Sequence, residues 1–107
     1  MKSKFLVFIF IFSIPTICSA NWTSYGQIVA VMPYEDGSLH VWANMTRHDP
    51  NGCGNDRYVM SENNRHLIES LSVALTALNT KKTVRFLIDD VSCTYGNPTL
   101  RAIEFRP

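Results

Sequence analysis

The chain has 107 residues, 46% of them hydrophobic and 18% charged, with a formal net charge of +1. One small domain is the expectation at this length, and the near-neutral balance carries no basic bias toward nucleic acid or an anionic membrane surface. A domain this small buries a modest fraction of its surface and gains from a covalent staple or from oligomerisation.

Lys2 and Lys4 open the chain, Phe5 to Ile17 is almost unbroken apolar sequence, and Cys18-Ser19-Ala20 supplies small residues. That pattern reads as a secretory signal peptide over residues 1–20, since the apolar run is short for a membrane span. An uncleaved anchor and a lipoprotein signal with a lipidated Cys18 are the competing readings. Ile17 stands where a lipoprotein signal wants a small residue, and Ala20 makes the better ordinary cleavage site. Cleavage there leaves residues 21–107 as a single domain, secreted or periplasmic. It also removes Lys2 and Lys4, which turns the balance slightly negative. No second apolar run is long enough to span a bilayer.

Cys53 and Cys93 then remain. An even pair in an exported protein reads as one disulfide. It closes a loop of about 41 residues, for which chain entropy gives roughly 4 kcal/mol. Two isolated thiols lack the spacing zinc wants, and no metal or other cofactor is expected.

In chain order, residues 25–33 form a first strand, apolar on both faces and so expected to lie deep or in an interface. Asp36-Gly37 marks a hairpin turn. A second strand runs from Leu39 to about Met45, with Leu39, Val41 and Ala43 on an apolar face and His40, Trp42 and Asn44 on a mixed one. Residues 46–56 are a long irregular connection, and a short third strand spans 57–61. Ser61, Asn63 or Asn64 caps a helix whose apolar stripe is Leu67, Ile68, Leu71, Ala74, Leu75 and Leu78. Asn79 suits a left-handed stop. The fourth strand covers 83–90, with Val84, Phe86 and Ile88 on one face. A Tyr-Gly-Asn-Pro turn at 95–98 leads to a fifth strand over 99–105.

The order β-β-β-α-β-β makes the chain mainly β with one helix, and it is the arrangement of a five-stranded OB-fold barrel whose open end the helix plugs. A helix packed on an open antiparallel sheet is the alternative.

Catalytic residues are not found in this sequence. His40, His48 and His66 are scattered and read as solvated side chains. Asp89 and Asp90 are strand neighbours pointing to opposite faces, better suited to a cap or turn. No serine lies in a nucleophile-elbow context. A hydrolase or nuclease is therefore the least supported class. The aromatics Trp22, Tyr25, Tyr34, Trp42 and Tyr95 lie beside Asn, Asp and Arg residues, a combination that suits sugar rings and peptide surfaces. Tyr34, Trp42, Asn44, Arg47 and Tyr95 are the candidate binding residues. A nucleic-acid-binding barrel would also need a positive groove, which the charge balance denies. Asn21 and Asn44 match the glycosylation sequon, which matters only in a eukaryotic source.

Gly52-Cys53, Arg57-Tyr58-Val59-Met60, the helix Leu67 to Leu78, the run Lys81 to Ile88, Cys93 and Leu100 to Phe105 together resemble the small secreted bacterial proteins similar to the subtilase cytotoxin B subunit. The resemblance implies an OB-fold and a bacterial source. For toxin members it also implies a ring of five B subunits that binds cell-surface glycan. No sugar contact of that family matches a position here. The expected function is therefore a non-enzymatic binding protein that recognises cell-surface glycan or an exported partner protein, as a homo-oligomer (a pentamer if toxin-like). The alternative is a small periplasmic or envelope interaction protein without glycan binding.

Overall fold

A computed structural model describes residues 21–106. The signal-peptide assignment and Cys18 lie outside the described residues. The elements are β1 (Ile28–Pro33), β2 (Leu39–Ala43), β3 (Tyr58–Met60), α1 (Leu67–Thr80), β4 (Thr83–Thr94) and β5 (Asn97–Arg106). They form one five-stranded sheet in the order β1-β2-β3-β5-β4. Every pairing is antiparallel except β3 with β5, which run parallel with Val59 opposite Thr99.

The expectation of a mainly β chain with one helix holds. The closed barrel does not, because β1 and β4 end the sheet and no ladder joins them. The two ends meet only through isolated bridges, Trp22 with Leu87 and Gly26 with Val84. The segment 21–26 lies along β4, where Thr23 N–H donates to Phe86 O at 2.9 Å, and Gly26 and Val84 exchange bonds of 2.9 and 2.8 Å. Thr23 also offers its hydroxyl as acceptor to Phe86 N–H at 2.9 Å. Gly26 is required: a Cβ there would stand 2.8 Å from Asn44 Oδ1 and from Met45 Cβ.

Cation–π stacking pins the same segment from outside. The Arg85 guanidinium lies 4.4 Å from the Trp22 ring centre and 5.1 Å from that of Tyr25, with Arg106 4.9 Å from Tyr25. Glu104 ties both arginines, accepting from Arg85 Nε and Arg106 Nε at 2.8 Å each. These bonds hold its carboxyl below the usual range, that from Arg106 first.

The core is built by strand alternation. Val84, Phe86 and Ile88 of β4 meet Leu39 and Val41 of β2, Tyr58 and Met60 of β3 and Leu100 of β5, all buried. Tyr58 and Phe86 pack edge to face with ring centres 5.2 Å apart. Strand β3 lies inside the sheet, so all three of its residues are buried.

Four expectations are adjusted. Of the two placements expected for β1, deep or in an interface, the deep one fails: β1 is an edge, with Ile28 buried but Val29 57% exposed, and the register shifts between Ile28 and Ala30. The helix packs on most of its expected stripe, with Ala74 buried and Leu67, Leu71 and Leu78 partly so, but the face is rotated: Ser70 and Ala77 are buried in place of Ile68 and Leu75, which face out. Small side chains at the contact let α1 sit close to the sheet. The left-handed stop falls on Lys81 (φ 55°) rather than Asn79, and Gln27 Nε2 donates to Lys81 O at 2.8 Å, tying the stop to β1. At the other end His66 begins the helix without a side-chain cap; Asn64 Oδ1 instead accepts from His66 N–H at 2.8 Å in the preceding turn.

The β4–β5 hairpin is tighter than the sequence suggests. Tyr95 (φ 50°) and Gly96 (φ 75°) form the whole turn, so Asn97 and Pro98 belong to β5. Two successive positive φ values match a type I′ turn, whose twist suits a hairpin.

Cys53 and Cys93 form the expected disulfide. Cys93→Ser in the chain of residues 21–107 is expected to lower the unfolding free energy by about 4 kcal/mol in denaturant titration. Thiol titration of the same chain, unfolded and non-reduced, should find no reactive thiol, and two would refute the bridge. Phe86→Ala should cost about 3–5 kcal/mol.

Candidate functional site

Three segments distant in sequence meet at one end of the sheet. The β1–β2 turn brings Tyr34 and Asp36, strand β2 brings His40, the end of the β2–β3 loop brings Asn55 and Arg57, and the β4–β5 hairpin brings Tyr95 and Asn97. They line an open cleft of about 400 Å³, within the roughly 300–1,000 Å³ of small-molecule sites. A smaller groove of about 210 Å³, lined by Ser72, Val73, Thr76 and Phe105, has only two hydroxyls with which to orient a ligand.

Each wall is held locally. In the turn, Gly37 N–H donates to Tyr34 O at 2.9 Å, with Gly37 at φ 93°. Asp36 Oδ1 accepts from Ser38 N–H at 2.9 Å and from Ser38 Oγ at 2.5 Å. These bonds, the hydroxyl's first, hold the Asp36 carboxyl below its usual range. In the loop, Asp49 accepts from Cys53 and Gly54 N–H at 2.8 Å each. Burial pushes its carboxyl up, but these bonds and Arg47 outweigh it and bring it down. The disulfide joins loop to hairpin, and Asn55 Nδ2 adds a bond of 2.7 Å to Gly96 O.

His40 sits at the centre. Since Ser38 Oγ gives its proton to Asp36, it accepts from His40 Nε2–H at 3.1 Å. Nδ1 is then a bare acceptor, facing Arg57 Nη1 at 3.5 Å. Arg57 also lies over Trp42, 4.7 Å from the ring centre, and donates Nε to Asp56 Oδ1 at 3.0 Å. Tyr34 packs tilted on the His40 ring at 5.0 Å. Burial, and then the Arg57 charge, push the His40 pKa down against the weaker pull of Asp36. This is not the relay of a nucleophilic serine: Ser38 is buried, its hydroxyl is committed to Asp36, and a cation rather than a carboxylate stands on the far side of the imidazole.

Of the candidate residues, Tyr34 and Tyr95 line the cleft. Trp42 sits behind it as the platform for Arg57 and lies 6.3 Å from the His40 ring. Asn44 and Arg47 lie elsewhere. Asn44 Oδ1 accepts from Gln27 N–H at 2.7 Å. Arg47 donates to Gly54 O, pairs with Asp49 at 3.8 Å and stands over Tyr58. Of the three histidines expected to be solvated, only His66 is exposed, while His48 is half-buried and His40 is buried. Asp36, Asn55, Arg57 and Asn97 are the lining residues that the sequence pattern does not mark.

Asn97 is 4% exposed, and its Oδ1 has no partner among the described residues. Its Nδ2 is spent on Tyr95 O at 2.9 Å and Thr94 O at 3.3 Å, which fixes the amide orientation. A buried acceptor left bare costs about 1–3 kcal/mol. Tyr95 donates its hydroxyl to Glu62 Oε2 at 2.7 Å, and this bond raises the phenol pKa.

Among the described residues no three His, Cys, Asp or Glu side chains converge to hold a metal, and no helix is long and apolar enough to cross a membrane. No protein family and no curated protein matches the chain.

The buried imidazole ties stability to pH. Its folded pKa lies below the ordinary 6.5, so the unfolded chain binds the proton first. The contribution is fully present above pH 6.5 and is lost as pH falls below it. His40→Gln is expected to flatten the fall in unfolding free energy between pH 7 and 5, measured by denaturant titration at each pH.

Proposed function

We propose that the chain is an exported, non-enzymatic binding protein whose cleft recognises cell-surface glycan or a partner protein. The observation that carries this reading is the cleft itself, with two half-exposed tyrosines, Tyr34 and Tyr95, flanking Asp36, Asn55, Arg57 and Asn97. Aromatic faces with convergent polar groups are what sugar rings and peptide surfaces call for. The disulfide supports export, since such bonds persist in oxidising compartments.

The sheet order β1-β2-β3-β5-β4, with the helix between β3 and β4 and the 21–26 segment bridged to β4, supports an OB-like reading. It is in keeping with the resemblance to subtilase cytotoxin B subunits and with the pentamer which that resemblance implies. A second reading, an envelope protein that works through protein contacts alone, is favoured by the apolar side chains left outside: Ile68 on α1, Val29 on the edge strand and Val91 on β4.

A glycan array with the mature protein, beside its mass in solution, separates the two. Glycan binding with self-association supports the toxin-like version, and a monomer that binds no glycan ends it. Pull-down of one exported protein by a monomer blank on the array supports the second reading. Tyr34→Ala should weaken glycan binding roughly tenfold while costing about 0.5–1.5 kcal/mol of unfolding stability, the worth of its packing on His40.

A further inference from the structure

The two ring nitrogens of His40 face different partners, and protonation changes the character of only one. Nε2 donates to Ser38 Oγ at 3.1 Å and is a donor in both states of the ring. Nδ1 is a bare acceptor in the neutral ring, in a long contact of 3.5 Å from Arg57 Nη1. In the imidazolium it becomes an N–H facing a guanidinium, so two donors and two like charges meet.

Of the two side chains, Arg57 is the one with room to move. His40 is 6% exposed, lies between Met32 of β1 and Val59 of β3 in the ladders, and packs against Tyr34 with ring centres 5.0 Å apart. The Arg57 side chain is 32% exposed, and that of Asp56, its partner at 3.0 Å, is 69% exposed. The other charged and titratable groups around the ring come from three segments. Asp36 in the β1–β2 turn acts through Ser38, and its charge weighs less on the ring than that of Arg57. Tyr34 stacks from the same turn, Asp56 is engaged by Arg57, and Tyr95 of the hairpin gives its hydroxyl to Glu62.

We infer that His40 is the positioning residue of the cleft: its neutral ring holds the Arg57 guanidinium against the wall, and its protonation drives Arg57 off. After its contacts with Asp56 and His40, Arg57 keeps three N–H groups to offer a ligand. Arg57 is also the one cation lining the cleft among the described residues, so its placement decides what the cleft presents. Burial first, and then the Arg57 charge, hold the His40 pKa below the ordinary 6.5. The ring is therefore neutral above that pH and gains its charge below it. The consequence for binding rests on the reading above: a ligand that uses these N–H groups is held at neutral pH and released in acid.

The experiment is a nitrogen-15 NMR titration of the disulfide-bonded chain of residues 21–107 from about pH 7.5 to about pH 5. At the upper end the His40 ring should show the Nε2–H tautomer. On acidification the Arg57 Nε–H signal should move with the same midpoint as the His40 ring, at a pH below 6.5. In His40→Gln the Arg57 signal should show no inflection over this range. Arg57→Gln removes the like charge from a half-exposed position and should raise the His40 midpoint while leaving that of His66 in place.

An Nδ1–H tautomer at neutral pH, an Arg57 signal that does not follow His40, or a His40 midpoint unmoved by Arg57→Gln overturns the inference. The unaltered chain and Arg57→Gln decide it even where His40→Gln fails to fold. The titration needs no ligand, so its failure is distinct from a blank glycan array, which ends the glycan reading alone.

Discussion

The Cys53–Cys93 bridge is the constraint on which the working end of this molecule depends. The sheet core has its own reasons to hold together, in the buried Phe86, Leu39, Met60 and Leu100. The loop that carries Asn55 and Arg57 has no apolar anchor of that kind. What keeps it against the β4–β5 hairpin is the disulfide, the Asn55 bond to Gly96 O, and Asn51 Nδ2 reaching Asp89 O and Ser92 O at 3.1 and 3.2 Å. Cys53 lies two positions before Asn55 and Cys93 two before Tyr95, so one covalent link sets the distance between two walls of the cleft. Fixing those walls in advance removes ordering cost that a ligand would otherwise have to offset.

The polar centre of the cleft is ordered by a chain of shared protons rather than by ion pairing. Asp36 takes the Ser38 proton, Ser38 takes one from His40, and His40 is left to accept from Arg57. Each member fixes the orientation of the next, so the imidazole is held neutral by its surroundings and the guanidinium is aimed by a side chain that carries no charge of its own. Trp42 and Asp56 complete the cradle around Arg57.

Much of the fold was legible in the residues. The period-two alternation of Val84, Phe86 and Ile88, the Asp36-Gly37 turn and the lone cysteine pair each carry a local physical signal, and each is realised. The helix was legible as a helix and in most of its inward stripe. Ile68 and Leu75 border that stripe closely enough that a small rotation is compatible with the same spacing, and only docking on the sheet fixes it. Of the deep and interface placements expected for β1, the deep one failed because an apolar edge strand and an apolar central strand read alike. The cleft was the least legible part. Tyr34 and Tyr95 stand out as aromatics near turns, but Arg57, Asn97 and Asp36 become neighbours only through the β3–β5 parallel pairing and the disulfide, which no local pattern encodes. His40 sat on what reads as a half-polar strand face, and nothing in the alternation says that the preceding turn folds back to cover it. Asn44 and Arg47, next to Trp42 in sequence, were drawn in by proximity and belong to other contacts.

The placement of residues 21–26 along β4 has a kinetic consequence. The first described segment hydrogen-bonds to Val84, Phe86 and Ile88, and Asn21 O accepts from Ile88 N–H at 2.9 Å. β3 likewise waits for β5. β1, β2 and β3 can pair as they emerge, but the parallel partner of β3 and the strand that receives residues 21–26 lie in the C-terminal half, so those contacts wait until β4 and β5 have been synthesised. Pairings between distant parts of a chain close slowly. The last-made strands therefore decide when the sheet is complete, and these two long-range closures set the pace of folding.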